Sequence, residues 1–243
     1  MIEVRKLCKA FGNRPAVDSV SFVVEPGNVV GFLGPNGAGK STTMRLLTGY
    51  LRPDSGTALI AGHDITTATS QAQASLGYLP EAAAGFPDLT VREFLIFCAE
   101  ARGLWGARRR SSIDRASDAT DLTSALDLKM ATLSKGWRQR AWFAQAILHD
   151  PPVLIFDEPT DGLDPNQKAH IRQFIRATAA TKSIILSTHI LEEAEEICDR
   201  VIIIAGGSIV ADDTCKRLAD RKGRLATAFH RLTASQADPL VRP

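Results

Sequence analysis

Gly34-Pro35-Asn36-Gly37-Ala38-Gly39-Lys40-Ser41 follows the apolar run at 29–33 and precedes Met44, Leu46, Leu47 and Leu51, which recur at helical spacing. Strand, glycine-rich loop and helix in that order are the setting in which the pattern G-x-x-x-x-G-K-S holds phosphate. Its glycines let backbone N–H groups turn toward phosphate oxygens, and the helix N-terminus adds positive potential. Lys40 is expected to reach the β- and γ-phosphates of a nucleotide, and Ser41 to offer its hydroxyl to Mg²⁺. Pro35, Asn36, Ala38 and Thr42 belong to the same wrap.

A second apolar run, 153–156, ends in Asp157-Glu158, which puts two carboxylates at the carboxyl end of a buried strand, where folds with such a loop hold their metal. Asp157 is expected on the metal side, through water. Glu158 is expected to act as general base, because transfer of a γ-phosphoryl group needs an in-line water more than covalent chemistry.

Around these motifs the chain alternates strands and helices, which predicts a mainly parallel sheet and an α/β fold of the P-loop NTPase kind. Runs at 2–7 and 20–24, closed by Pro26-Gly27, predict a small antiparallel β-element at the N-terminus. From about 82 to 150 the reading is helical, with Thr90-Val91-Arg92-Glu93 as a capping box, so an inserted α-helical subdomain is expected there. Residues 1–222 are read as one nucleotide-binding domain and 223–243 as a short C-terminal tail, its end at 239–243 expected to be mobile.

The 243 residues are 44% hydrophobic and 23% charged, ordinary values for a globular chain. A net charge of +2 is too small for the footprint of a nucleic-acid binder, so no nucleic-acid partner is expected. The longest apolar runs fall well short of the roughly 20 residues that cross a bilayer. The opening residues enter a strand pattern at once, so the expected location is the cytoplasm. Cys8, Cys98, Cys198 and Cys215 are scattered and read as reduced thiols. Arg108, Arg109 and Arg110 read as a solvated loop, and Arg217, Arg221, Lys222, Arg224 and Arg231 as charges that keep the tail soluble.

Leu133-Ser134-Lys135-Gly136-Trp137-Arg138-Gln139-Arg140, followed by Asp157-Glu158-Pro159-Thr160-Asp161-Gly162-Leu163-Asp164, resembles the ATP-binding subunits of ABC transporters, and the resemblance spans residues 2–215. It implies an ATPase that works as a head-to-tail dimer, a homodimer being expected. Ser134, Gly136 and Trp137 of one copy would meet the γ-phosphate held by the other. It also implies that Phe11 stacks on adenine, that Asp164 acts across the dimer, and that His189 senses the γ-phosphate. A separate transmembrane permease subunit would hold the protein on the inner face of the cell membrane.

Glu81 stands where most of that family has a glutamine that touches Mg²⁺ and the permease. Its charge adds to those of Asp157 and Glu158, so it is read as a further metal ligand beside Ser41 and Asp157. Lys135-Gly136-Trp137 replaces the usual Gly-Gly-Gln. This form, with Gly77-Tyr78-Leu79-Pro80-Glu81, resembles the ABC-2 branch of exporters, including gliding-motility-like and multidrug-like ATPases. Two other readings stay open: an assembly or regulatory ATPase of the same class with no membrane partner, and a nucleotide-gated clamp with impaired turnover.

Overall fold

Alternating inward residues build the first strands, and one irregularity resets the alternation. In β1 (Ile2–Phe11), Ile2, Val4 and Leu7 are buried, and a bulge at Lys6, whose φ is +46°, returns Leu7 to the inner face. This strand pairs antiparallel with β2 (Arg14–Val24) and β4 (Ser55–Ile60), and a two-residue strand, β5 (His63–Asp64), completes the order β2-β1-β4-β5. The computed structural model describes residues 1–82, 85–220 and 223–234.

The second sheet has the order β10-β9-β3-β8-β7-β6. Strands β3 (Val29–Leu33), β6 (Leu76–Leu79), β7 (Val153–Asp157), β8 (Ser183–Thr188) and β9 (Arg200–Ala205) run parallel, and β10 (Ser208–Thr214) closes one edge antiparallel. No residue of β3, β7 or β8 is exposed, as continuous apolar runs require of central parallel strands. Successive side chains of β3 serve opposite faces. Val30 and Phe32 join the core between the sheets with Met44, Leu46 and Leu47 of α1 (Lys40–Leu47), while Val29 and Leu33 join the core on the other face.

On that other face lie α3 (Val91–Ala101), α4 (Gly106–Ala119) and α5 (Lys135–Ile147), which follow the short α2 (Thr69–Ala74), and α6 (Pro165–Ala179) and α7 (Leu191–Ile197). The capping box forms: Thr90 Oγ1 accepts from the Glu93 N–H, and Glu93 accepts from the Thr90 N–H at 2.7 Å. Phe143 of α5 stacks on Phe156 of β7 with centroids 4.7 Å apart and meets Phe174 of α6 edge-on. Helix α5 is thereby fixed against the strand that carries Asp157.

Several sequence expectations shift. Arg108, Arg109 and Arg110 lie in the first two turns of α4 rather than in a loop, and Arg109 pairs with Glu100. Helix α8 (Cys215–Leu218) precedes residue 223, and a further helix, α9 (Ala226–Thr233), lies beyond it where the sequence pattern weakens, because Leu225 and Ala228 are buried and Phe229 and Leu232 pack on the main core. Arg217 pairs with Asp213. Arg221, Lys222 and the end at 239–243 lie outside the described residues.

Candidate active site

The glycine-rich loop leaves the C-terminal end of β3 and opens α1. Two of its glycines have no substitute. A Cβ on Gly34 would stand 2.4 Å from the Ile204 carbonyl oxygen, and one on Gly39, where φ is +108°, would stand 2.3 Å from that of Ala16. Pro35, Asn36 and Gly37 are exposed at the rim, Ala38 is buried beneath them, and Thr42 lies half-buried on α1. The unpaired N–H groups at the start of α1 therefore face an open loop that can take an anion.

Lys40 is buried and folds over the loop, its Nζ donating to the carbonyls of Gly34 at 2.7 Å and Pro35 at 3.2 Å. Burial pulls its pKa below the usual lysine value, against the opposing pull of Glu158, Asp157 and Glu81. Ser41 Oγ lies 3.2 Å from Glu81 Oε2 and 3.3 Å from Asp157 Oδ1. The three residues read as metal ligands thus meet at one point.

Asp157, at the end of β7, is 1% exposed. Its Oδ1 accepts from Ser187 Oγ, while Oδ2 is buried with no partner among the described residues. Burial raises its carboxyl pKa. An orphaned carboxylate oxygen beside a serine hydroxyl and a second carboxylate fits a hard divalent cation with oxygen ligands, as Mg²⁺ is. Among the described residues no cluster of three His, Cys, Asp or Glu side chains makes a metal cage, so phosphate oxygens and water would complete the shell.

Glu158 sits in the left-handed region, φ +52°. Its N–H donates to Ser187 O at 3.2 Å and Oγ at 3.1 Å, and its Oε1 lies 3.0 Å from His189 Nδ1. Burial raises the Glu158 pKa and the contact with His189 opposes the rise, so the side chain is poised toward accepting a proton. The His189 side chain is 55% exposed beside it, open to a ligand rather than packed in the core.

The remaining predicted residues stand in other places. Phe11, 55% exposed where β1 turns toward β2, is no core aromatic. Ser134 caps α5 by accepting from the Trp137 N–H at 3.4 Å, and Asp164 caps α6 by accepting from the Gln167 N–H at 2.9 Å. Gly136 faces Gly162 and Gln167 so closely that a Cβ would stand 2.9 Å from Gln167 Oε1. The Trp137 ring lies 3.6 Å from the Arg140 guanidinium. Ser187, which bridges Asp157 and Glu158, was not anticipated. Its signal is a pair of hydroxyls, Ser187 and Thr188, closing a fully buried strand, groups that have to find partners there.

Glu81 also borders an open groove of about 520 Å³ with Arg45, Tyr78, Arg102, Trp142 and Gln145. No helix among the described residues is long and apolar enough to cross a membrane.

Residues 17–161 match the family described as "ABC transporter". The chain is 40% identical over 212 residues to Nod factor export ATP-binding protein I of Paraburkholderia xenovorans (strain LB400), covering 87% of this chain and 70% of that protein. It is 34% identical over 224 residues to linearmycin resistance ATP-binding protein LnrL of Bacillus subtilis (strain 168), covering 92% and 72%. A solved ATP-binding subunit of an ABC transporter shares the fold with a TM-score of 0.87 at 31% identity, over 96% of this chain and 99% of that one.

Proposed function

This chain belongs to the ATP-binding proteins of ABC transporters and is an ATPase subunit of the export kind, and from that premise we propose how its residues bind and hydrolyse ATP and whom they serve. The observation that carries the reading is the convergence of Lys40, Ser41, Glu81, Asp157, Glu158 and His189 at the C-terminal ends of β3, β6, β7 and β8.

The loop Gly34 to Ser41, with Thr42, wraps the β- and γ-phosphates, Lys40 leaving its own loop's carbonyls to meet them, and Phe11 stacks on the adenine. Glu158 orients the attacking water and takes its proton, while His189 holds the γ-phosphate and steadies the Glu158 carboxylate. Ser41, with Asp157 and Glu81 directly or through water, would hold Mg²⁺, which would supply charge neutralisation at the phosphates. Ser134, Gly136, Trp137 and Asp164 act on the ATP of a second copy. The N-terminus of α5 that carries Ser134 and Gly136 is suited to an anion, and Arg140 fixes the Trp137 ring beside it.

The groove beside Glu81 is the seat for a separate permease subunit, which places the ATPase on the inner face of the membrane; its substrate route lies in that partner. Residues 1–222, with the helical insertion at about 82–150, act as the nucleotide-binding domain, and the short C-terminal segment that begins at 223 packs on it through Leu225 and Phe229. Isolation of the tagged subunit from its own cell in mild detergent tests this. A polytopic membrane protein should co-purify in stoichiometric amount and be lost when Trp142 and Arg102 are replaced by serine. Soluble partners alone would move the protein to the assembly-ATPase reading.

A further inference from the structure

Helix α5 begins with the segment assigned above to a partner's ATP, and the same helix turns two side chains onto this subunit's own catalytic turn. Lys135 and Gln139 are four residues apart and share one face. Lys135 Nζ donates to Asp161 Oδ2 at 2.7 Å, and its methylenes cover Gly162 so closely that a Cβ there would stand 2.6 Å from the Lys135 Cδ. Gln139 is 3% exposed and donates from Nε2 to the Glu158 carbonyl at 3.2 Å. That carbonyl also accepts from the Asp161 N–H. One helix face therefore grips both ends of the turn that begins at the general base.

Glu158 needs such a grip. Its left-handed backbone is uncommon for a residue with a side chain and persists only where neighbours over-determine it. Ser187 of β8 holds its N–H from one side, and Gln139 of α5 holds its carbonyl from the other. A buried amide at position 139 is costly unless it is hydrogen-bonded, and this bond accounts for it. The Lys135–Asp161 pair is half-exposed and weak by comparison.

We propose that Gln139, seconded by Lys135, is a positioning residue that aims Glu158 of its own subunit and so ties hydrolysis at one ATP site to the seating of the helix whose N-terminus serves the other. The inference rests on the two-site dimer of the proposed function. It places the effect of Gln139 in cis, on the site whose base it holds, and leaves the phosphate contact made in trans to Ser134 and Gly136.

Heterodimers assembled with two affinity tags separate these effects. Gln139→Leu keeps the bulk and removes the donor. The homodimer should lose about a hundredfold in kcat, the cost of a small misplacement of a reacting group, with KM for ATP within about threefold of the wild type. A heterodimer of wild-type and Glu158→Gln chains has one live site. Adding Gln139→Leu to the Glu158→Gln chain should leave its rate unchanged, whereas adding it to the other chain should remove about a hundredfold. Loss in the first arrangement would mean that Gln139 supports the trans contact, and an unchanged rate in both would mean that it positions nothing; either overturns the proposal. Should Gln139→Leu not fold, Lys135→Met, a change at an exposed charge, should show the same cis pattern with a twofold to fivefold loss, of about the size of a surface ion pair. A Glu158→Gln chain that forms no dimer on ATP overturns the two-site reading and the link with it, a failure seen by gel filtration before any rate is measured.

Discussion

His149, just past the end of α5, makes the stability of the fold depend on pH. Its Nε2 lies 3.0 Å from the Leu76 carbonyl oxygen, so that nitrogen carries the proton and donates it. Nδ1 is then a buried acceptor with no partner among the described residues, and the Arg102 guanidinium lies 3.4 Å from the ring. Burial first, and the Arg102 charge second, pull the pKa of His149 down from 6.5 to about 4. Between those values the unfolded chain binds a proton that the folded chain refuses. The contribution is therefore present in full above pH 6.5 and drains away as pH falls toward 4.

Each factor of ten in proton affinity is worth about 1.4 kcal/mol, which sets a ceiling near ~3 kcal/mol. Because water reaches part of the ring, about 2 kcal/mol is expected to be gone at about pH 4.5. His149→Gln keeps a donor for Leu76 and takes up no proton. Urea unfolding near pH 7 and about pH 4.5 should show the wild type losing about 2 kcal/mol more than the variant, other acid-sensitive groups cancelling in the difference. Equal losses in the two proteins would mean that burial does not keep the His149 ring from taking up a proton.

Gly77→Ala would put a Cβ 2.0 Å from the Ala146 carbonyl oxygen, backbone against backbone, so β6 and α5 must part. A loss of about 3 kcal/mol is expected, read as a lowered Tm, and an unchanged melt would contradict the close approach. Lys168→Met strands the Glu193 carboxylate, which is 4% exposed and otherwise held by Thr160 and Thr188. It should cost about 3 to 5 kcal/mol, with much of that recovered in the double variant carrying Glu193→Gln; denaturant titration measures both, and a cost below about 1 kcal/mol would refute the buried pair.

The central strands and the phosphate loop were legible in the sequence because their causes are local. A continuous apolar run at 29–33 and another at 153–156 need burial on both faces, and Gly34 to Ser41 carries its chemistry in residue types at fixed spacing. Strand β10 was not legible. Its Ser208–Thr214 has only Ile209, Val210 and Ala211 to suggest a strand, and it is held by pairing with β9 and by the Arg200–Asp212 ion pair, both tertiary. The same division runs through the site. Lys40, Asp157 and Glu158 carry roles that their motifs state, whereas Ser187 stands in no motif and Gln139 and Asp161, though within quoted motifs, take their roles from the contacts of α5 with the turn after β7. The exposure of Phe11 also depends on the turn toward β2, which periodicity within one strand does not describe.

The most direct test of the account is Mg²⁺-dependent ATP hydrolysis by the purified chain and by Glu158→Gln, with gel filtration in ATP alongside. The variant should lose turnover, still hold ATP and elute as a dimer, because the wrap and the contacts of the second copy survive the loss of the base. Turnover retained in Glu158→Gln would contradict the assignment of Glu158 and the site built around it.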